Sequence, residues 1–413
     1  MSEILVAESA HIAGLGNALD AVGADVKAIS DFVGAHCVVG PAGLGGAILE
    51  PLNAPFGLAA GSFKTRMAGI GNTTANSGDE LNRTAWMYHD QDKQNYEALN
   101  AATTNLITGE AVGVDAAREN AGLVQDYPDP IAYPKPNDIK LEPPSAAPPE
   151  LADLIAETTG VVGDVNEAVK NVTRMAGSEV NIIEMVLSPI QANWNELRRI
   201  GETYKVAGNS MESSGANLED AVRRAGPHWD GKAAIAFETW AGNQIAAMKW
   251  EGPVGRVISD LLNIIADKIR DGVRRACEKL RDFVASFVDF RSTKEIFKTL
   301  VKRIPGIGTA IEIADLARKI WNIVDLVQTI ITEIEDVRNR AKEFLEWLGD
   351  PVSKGKEWVE QKLEPVTSGI DDAARRAALV NDIGKVAQSE DTRNRPEQAY
   401  EVGSGRAPWE NAV

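Results

Sequence analysis

The chain is short of the residues that most often carry chemistry. Its 413 residues include two cysteines, Cys37 and Cys277. That excludes a disulfide framework and a cysteine metal site, and leaves open whether the two thiols meet. The four histidines, His11, His36, His89 and His228, are far apart, and none sits in a His-Glu-x-x-His or comparable ligand pattern. There is no Gly-x-x-x-x-Gly-Lys-Ser/Thr loop and no Gly-x-Ser-x-Gly element. Gly40, Gly43, Gly45 and Gly46 miss the spacing that dinucleotide binding needs after a strand. Carboxylates are plentiful, but in an acidic helical chain they pair on solvated faces and say little about acid-base catalysis. The expectation is therefore a protein without catalytic residues, cofactor or metal.

Other absences narrow the class further. Basic residues number 43 against 60 acidic ones, a net charge of -17, which excludes a nucleic-acid binder because phosphate neutralisation needs a positive surface. The uncharged run from Val33 to Leu49 is 17 residues long with five glycines and Pro41, and is too broken by them for a membrane-spanning helix. The first thirty residues carry Glu3, Glu8, Asp20 and Asp25 and lack the basic start, apolar stretch and cleavage site of a conventional signal peptide. No series of alternating β-branched strands with hairpin turns occurs.

What the chain does have is helical periodicity and enough apolar residues, 44%, for a sizeable core. Ile12, Leu15, Leu19, Val22, Val26, Ile29 and Val33 recur at steps of three and four, one stripe of an amphipathic helix. After a Gly/Pro-rich connection from Gly34 to Gly61 the spacing resumes through Phe63, Met67, Ile70, Thr74, Ser77, Leu81 and Tyr88, which predicts an antiparallel hairpin. Eight of the 19 prolines fall between Asp126 and Pro149, an extended linker and the clearest domain boundary. Periodicity returns at Leu151 to Val172, and a longer helix is expected from about Ile190 to Val222. One of its rows reads Trp194, Gly201, Gly208, Gly215, Val222. Each mid-helix glycine costs roughly 1 kcal/mol against alanine, so a row of them predicts a second helix approaching closely. Gly252-Pro253 should break or bend the chain. Beyond it lie a stripe from Ile258 to Phe287 and a strict three-four stripe from Ile313 to Leu348, the latter a helix roughly 50 Å long. A basic stretch from Arg270 to Arg303, interleaved with acids, reads as an ion-paired solvated face or as a contact for anionic lipid.

The fold class expected is all-α: long antiparallel helical hairpins forming a bundle with coiled-coil-like packing and a disordered C-terminal tail. The modules are residues 1–125 (first hairpin), 126–149 (Pro-rich linker), 150–253 (second hairpin), 254–349 (long-helix bundle) and 350–413 (polar, partly disordered tail), with the last twenty or so residues from Arg393 unstructured.

The second hairpin turns at Arg223-Arg224-Ala225-Gly226-Pro227-His228-Trp229-Asp230-Gly231 and resumes as Lys232-Ala233-Ala234-Ile235-Ala236-Phe237. This resembles the WXG family, in which two antiparallel helices are joined by a Trp-x-Gly turn and followed by an Ala-Ala-x-x-Phe-like run, with a tryptophan such as Trp194 on the first helix. A left-handed glycine at Gly231 and a ring at Trp229 folded over the tip would give that turn its physical sense. Tyr88-His89-Asp90-Gln91-Asp92 is similar to the Tyr-x-x-x-Asp/Glu export signal of type VII secretion substrates, with Tyr88 and Asp92 one helical turn apart on one exposed face. The chain departs from the family pattern in that its Tyr-x-x-x-Asp and its Trp-x-Gly lie in different hairpins.

The resemblance implies a secreted substrate or accessory of a type VII (ESX-like) system, exported without a cleaved signal peptide. Its partners would be the secretion ATPase and a co-secreted helical protein or a second copy of the chain, with no nucleic acid and membrane contact left open. The rival reading is a membrane-active or toxin-like effector of the same system. It rests on the apolar Val38 to Leu49 segment and on Ile304 to Ile311. A cytosolic helical scaffold is the third.

Overall fold

The computed structural model describes residues 6–103, 126–145, 170, 181–285, 310–351, 356–368, 370 and 372–401. Among these the architecture is all-α, with no β-sheet; a single isolated bridge joins Ala7 to Trp229. The helices are α1 (Ser9–His36), α2 (Asn53–Thr103), α3 (Ile182–Leu187), α4 (Trp194–Ala225), α5 (Lys232–Ala285), α6 (Ala310–Trp347), α7 (Lys356–Ser368), α8 (Ala373–Val386) and α9 (Glu390–Arg393).

Helices α1 and α2 form the first antiparallel hairpin, and both apolar stripes face inward. Every member from Ile12 to Val33 and from Phe63 to Tyr88 is buried. The second helix starts earlier than its stripe suggests, at Asn53, because Pro55 falls in the first turn, where a missing N–H costs nothing. The connection between α1 and α2 is itself packed, with Leu44, Ile48 and Leu49 buried.

Helices α4 and α5 form the second hairpin. Asn193 caps α4, its side-chain oxygen accepting from the N–H of Glu196 at 3.2 Å. Helix α5 then runs unbroken through Pro253, where a break or bend was expected. Proline there removes the bond to the carbonyl of Lys249. This stretch also packs closely on α4, where a Cβ on Gly255 would run into the carbonyl of Tyr204 and the Cα of Gly208, and that packing offsets the local loss. The boundary expected at 253/254 therefore falls inside one helix.

The two hairpins pack into one four-helix body. Glu251 of α5 and Arg66 of α2 form a buried ion pair, and Gln244 donates to the carbonyl of Ile70 and to Thr74 Oγ1, both at 3.0 Å. Helix α6 lies along α5, with Ile330 packed on Gly272 and Glu333 paired to Arg275 at 2.7 Å. Its stripe from Ile323 to Leu348 is buried.

Two segments expected to stand apart are docked. The Pro-rich residues 126–145 are not helical, but they do not act as a free spacer. The N–H of Ile131 donates to Ala10 O at 2.9 Å, that of Tyr127 to Asn82 Oδ1 at 2.8 Å, and that of Asn137 to Asn217 Oδ1 at 2.9 Å. They strap the first hairpin to the second. At the C-terminal end, residues 393–401 were expected to be unstructured, yet Tyr400 is fully buried. The tail beyond, the stripe at Leu151 to Val172 apart from Lys170, and residues 304–309 of the Ile304 to Ile311 segment lie outside the described residues.

Candidate functional site

The end of the bundle formed by the Trp-x-Gly turn gathers most of the residues the sequence singles out. After α4 a single 3-10 turn, Gly226–His228, leads to Trp229 in extended backbone and to Gly231 with φ +94°. That value lies in the left-handed region, where a side chain would be strained, so glycine is required for α5 to start at once. The indole of Trp229 folds inward and is 4% exposed. Its ring lies 5.5 Å from Phe237 and 6.3 Å, edge-on, from Tyr400. The chain before α1 runs beside this turn. The N–H of Glu8 donates to His228 O at 2.9 Å and that of Asp230 to Val6 O at 2.8 Å, while Asp230 Oδ1 accepts from the N–H of Val6 at 2.8 Å.

Tyr88 reaches the same place from the other hairpin. Trp229 Nε1 donates a long hydrogen bond, 3.4 Å, to Tyr88 Oη, so the two motifs that lie 141 residues apart in sequence meet in space. This corrects the expectation of an exposed tyrosine. Tyr88 is 4% exposed, and burial pushes its phenol above the usual range. The reason was present in the spacing, since Tyr88 closes the same apolar row that packs α2 on α1. Asp92 lies one turn further along α2, and its side chain is outside the described residues.

The glycine row faces α5. A Cβ on Gly208 would stand 2.5 Å from the carbonyl of Glu251 and 3.2 Å from the Cα of Gly255; on Gly201 it would meet the Cα of Ser259 at 3.1 Å, and on Gly215 the Cβ of Met248 at 3.1 Å. Trp194 begins α4 instead of lying a turn inside it, and is fully buried. Within the basic stretch, Arg274 pairs with Asp271 at 3.4 Å and Arg275 with Glu333 at 2.7 Å, while residues 286–303 lie outside the described set. The Val38 to Leu49 segment is held in place: Arg199 donates to Val38 O at 2.7 Å and Arg338 to Ile48 O at 2.9 Å.

Several features escaped the sequence reading. The first hairpin has its own glycines at seven-residue spacing, Gly16 and Gly23, facing Gly78 and Gly71. The signal was in the sequence but was masked by the many glycines around it. Cys37 and Cys277 are both buried and are not joined in a disulfide, and burial raises the Cys37 thiol well above its usual range. Glu8, His11 and His228 come together beside Trp229, with their ligand-type atoms all within 4.8 Å of one another. Only the fold could reveal that, because 217 residues separate the two imidazoles in sequence.

No family model, curated protein or solved structure matches the chain.

Proposed function

We propose that the protein is a substrate or accessory of a type VII (ESX-like) secretion system that works by helix-mediated contacts, without catalysis. Its partners are then the secretion ATPase and a co-secreted helical protein or a second copy of the chain. The observation that carries this reading is the meeting of Tyr88 and Trp229 at 3.4 Å. It draws the Tyr-x-x-x-Asp and Trp-x-Gly elements, split between hairpins in the sequence, to one end of one four-helix body. The same chain thus supplies both halves of a bundle that the resemblance would otherwise assign to two chains. With Tyr88 buried as a joint between the hairpins, recognition falls to the turn of α2 that follows it and carries Asp92.

The test is export from a strain with a working type VII system and from a sibling lacking its ATPase. The protein is expected in the supernatant of the first alone; equal amounts from both strains would sink the proposal. Asp92→Asn, nearly isosteric, is expected to abolish export with an unchanged melting temperature. Tyr88→Ala instead is expected to lose about 3 kcal/mol of stability as a buried ring is removed, so its secretion does not report recognition.

A further inference from the structure

We propose that Glu8, His11 and His228 form a binding site for one divalent metal ion of the zinc type, which clamps the chain before α1 to the Trp-x-Gly turn. This goes beyond the secretion reading and does not depend on it.

The donor set has the right chemistry and the right spacing. Two imidazoles and a carboxylate suit zinc and its neighbours in the first transition series, and three protein ligands leave a fourth position for water. For bonds of about 2.0–2.1 Å, the edge of a tetrahedron is about 3.3–3.4 Å. Glu8 Oε2 lies 3.4 Å from His11 Nε2, and Glu8 Oε1 lies 3.1 Å from His228 Nδ1. The two rings face one another, centroids 3.5 Å apart and 5° from parallel. A ligating imidazole holds its metal in the plane of the ring, so a shared ion would require the two rings to turn out of this stack.

The donors are also preorganised. His228 Nδ1 is shut off from solvent and has no hydrogen-bond partner among the described residues, an arrangement that normally costs free energy. Bound metal would satisfy it. The other nitrogen of His11, Nδ1, lies 2.7 Å from Tyr133 Oη. When Nδ1 carries the proton and donates it to that oxygen, Nε2 is left with its lone pair toward Glu8, the outer-shell arrangement that orients metal-bound histidines. The backbone holds all three residues in place through the Glu8 to His228 hydrogen bond at 2.9 Å and the Ala7–Trp229 bridge. Glu8, the N-cap of α1, and His11 in its first turn stand three residues apart.

The experiment is calorimetric titration of zinc chloride into the chelator-treated full chain, with cobalt as a spectroscopic stand-in. One zinc ion per chain is expected. Cobalt should give the visible absorption of a four-coordinate site, and magnesium should give no heat. His11→Ala, His228→Ala and Glu8→Gln are each expected to weaken binding at least about tenfold, and Tyr133→Phe to weaken it about tenfold through the outer shell. His36→Ala and His89→Ala should bind as the parent does. Circular dichroism checks that each variant is folded; Glu8→Gln, at a half-exposed position, carries the test where a histidine variant is not. Absence of saturable zinc binding by the parent chain would overturn the site, as would undiminished binding in the folded Glu8 and histidine variants.

Discussion

Gly208 concentrates at one residue the logic of the second hairpin. Glycine inside a helix is locally unfavourable by about 1 kcal/mol relative to alanine, so an alanine there should stabilise α4 unless something fills the space. The carbonyl of Glu251 fills it, 2.5 Å from where a methyl would stand. Gly242, on α5, has nothing within 4 Å of the same point. The two substitutions should therefore have opposite signs. Gly242→Ala is expected to raise stability by up to about 1 kcal/mol, and Gly208→Ala to lower it by about 1–3 kcal/mol as the helices are forced apart. Urea or thermal melts of the two variants decide the matter. Equal effects would mean that the glycine row does not set the helix separation.

At the scale of elements, the C-terminal segment is a strap across both hairpins. Helix α8 is capped by Asp372, whose side chain accepts from the N–H groups of Ala374 and Arg375 at 2.9 and 3.0 Å. It is held to α5 by Arg256, which donates to both carboxylate oxygens of Asp382 at 2.8 and 3.0 Å, the bidentate geometry that makes such pairs directional. Two indoles of α5 donate to the backbone of the segment, Trp250 Nε1 to Val386 O at the end of α8 at 3.1 Å and Trp240 Nε1 to Gln398 O beyond α9 at 3.0 Å. The strap ends at Tyr400, whose N–H donates to Ser77 Oγ of the first hairpin at 2.8 Å and whose hydroxyl donates to Ala233 O of the second at 2.9 Å. Tyr400→Ala is expected to cost about 3–5 kcal/mol, the range for a fully buried aromatic. Tyr400→Phe, which removes one hydrogen bond and leaves a buried carbonyl short of a donor, should cost about 1–3 kcal/mol. Chemical denaturation of both variants checks the order. A Tyr400→Ala protein as stable as the parent would show the strap to be peripheral.

For the whole molecule the consequence is cooperativity. Arg66 and Glu251 are buried together, and the guanidinium also donates to Leu348 O at 3.4 Å and lies over the rings of Phe63 and Trp250, 4.8 and 5.3 Å from their centres. The first and second hairpins thus share a buried ion pair that the end of α6 also touches, so separating the hairpins breaks that pair and undocking α6 loses the hydrogen bond to Leu348 O. Sequence composition divides the chain into modules at the Pro-rich segment and at Gly252-Pro253; the packing joins them. A single unfolding transition is expected, with helical circular dichroism and tryptophan fluorescence giving the same midpoint. Two resolved midpoints would restore the modular picture.

The sequence by itself determined the fold class and the inward faces of the long helices α1, α2, α4, α5 and α6, because a three-four apolar period admits only an amphipathic helix and that period is local; α7 to α8 lie in a stretch whose composition read as a polar tail. It also marked the Trp229–Gly231 turn and the glycine row, since a left-handed turn and a close helix approach each leave a glycine at a fixed offset from a large side chain. Only the tertiary structure decided which faces meet. The Pro-rich segment looked like a spacer because its composition forbids a helix, but whether it binds depends on acceptors such as Ala10 O and Asn82 Oδ1 contributed by distant helices. Tyr88 belongs to the buried row by its spacing, yet its partner Trp229 lies on another hairpin and had to be brought to it. The same holds for His11 and His228. Each is an isolated histidine in sequence, and they become a pair because the bundle closes the chain before α1 onto the turn before α5.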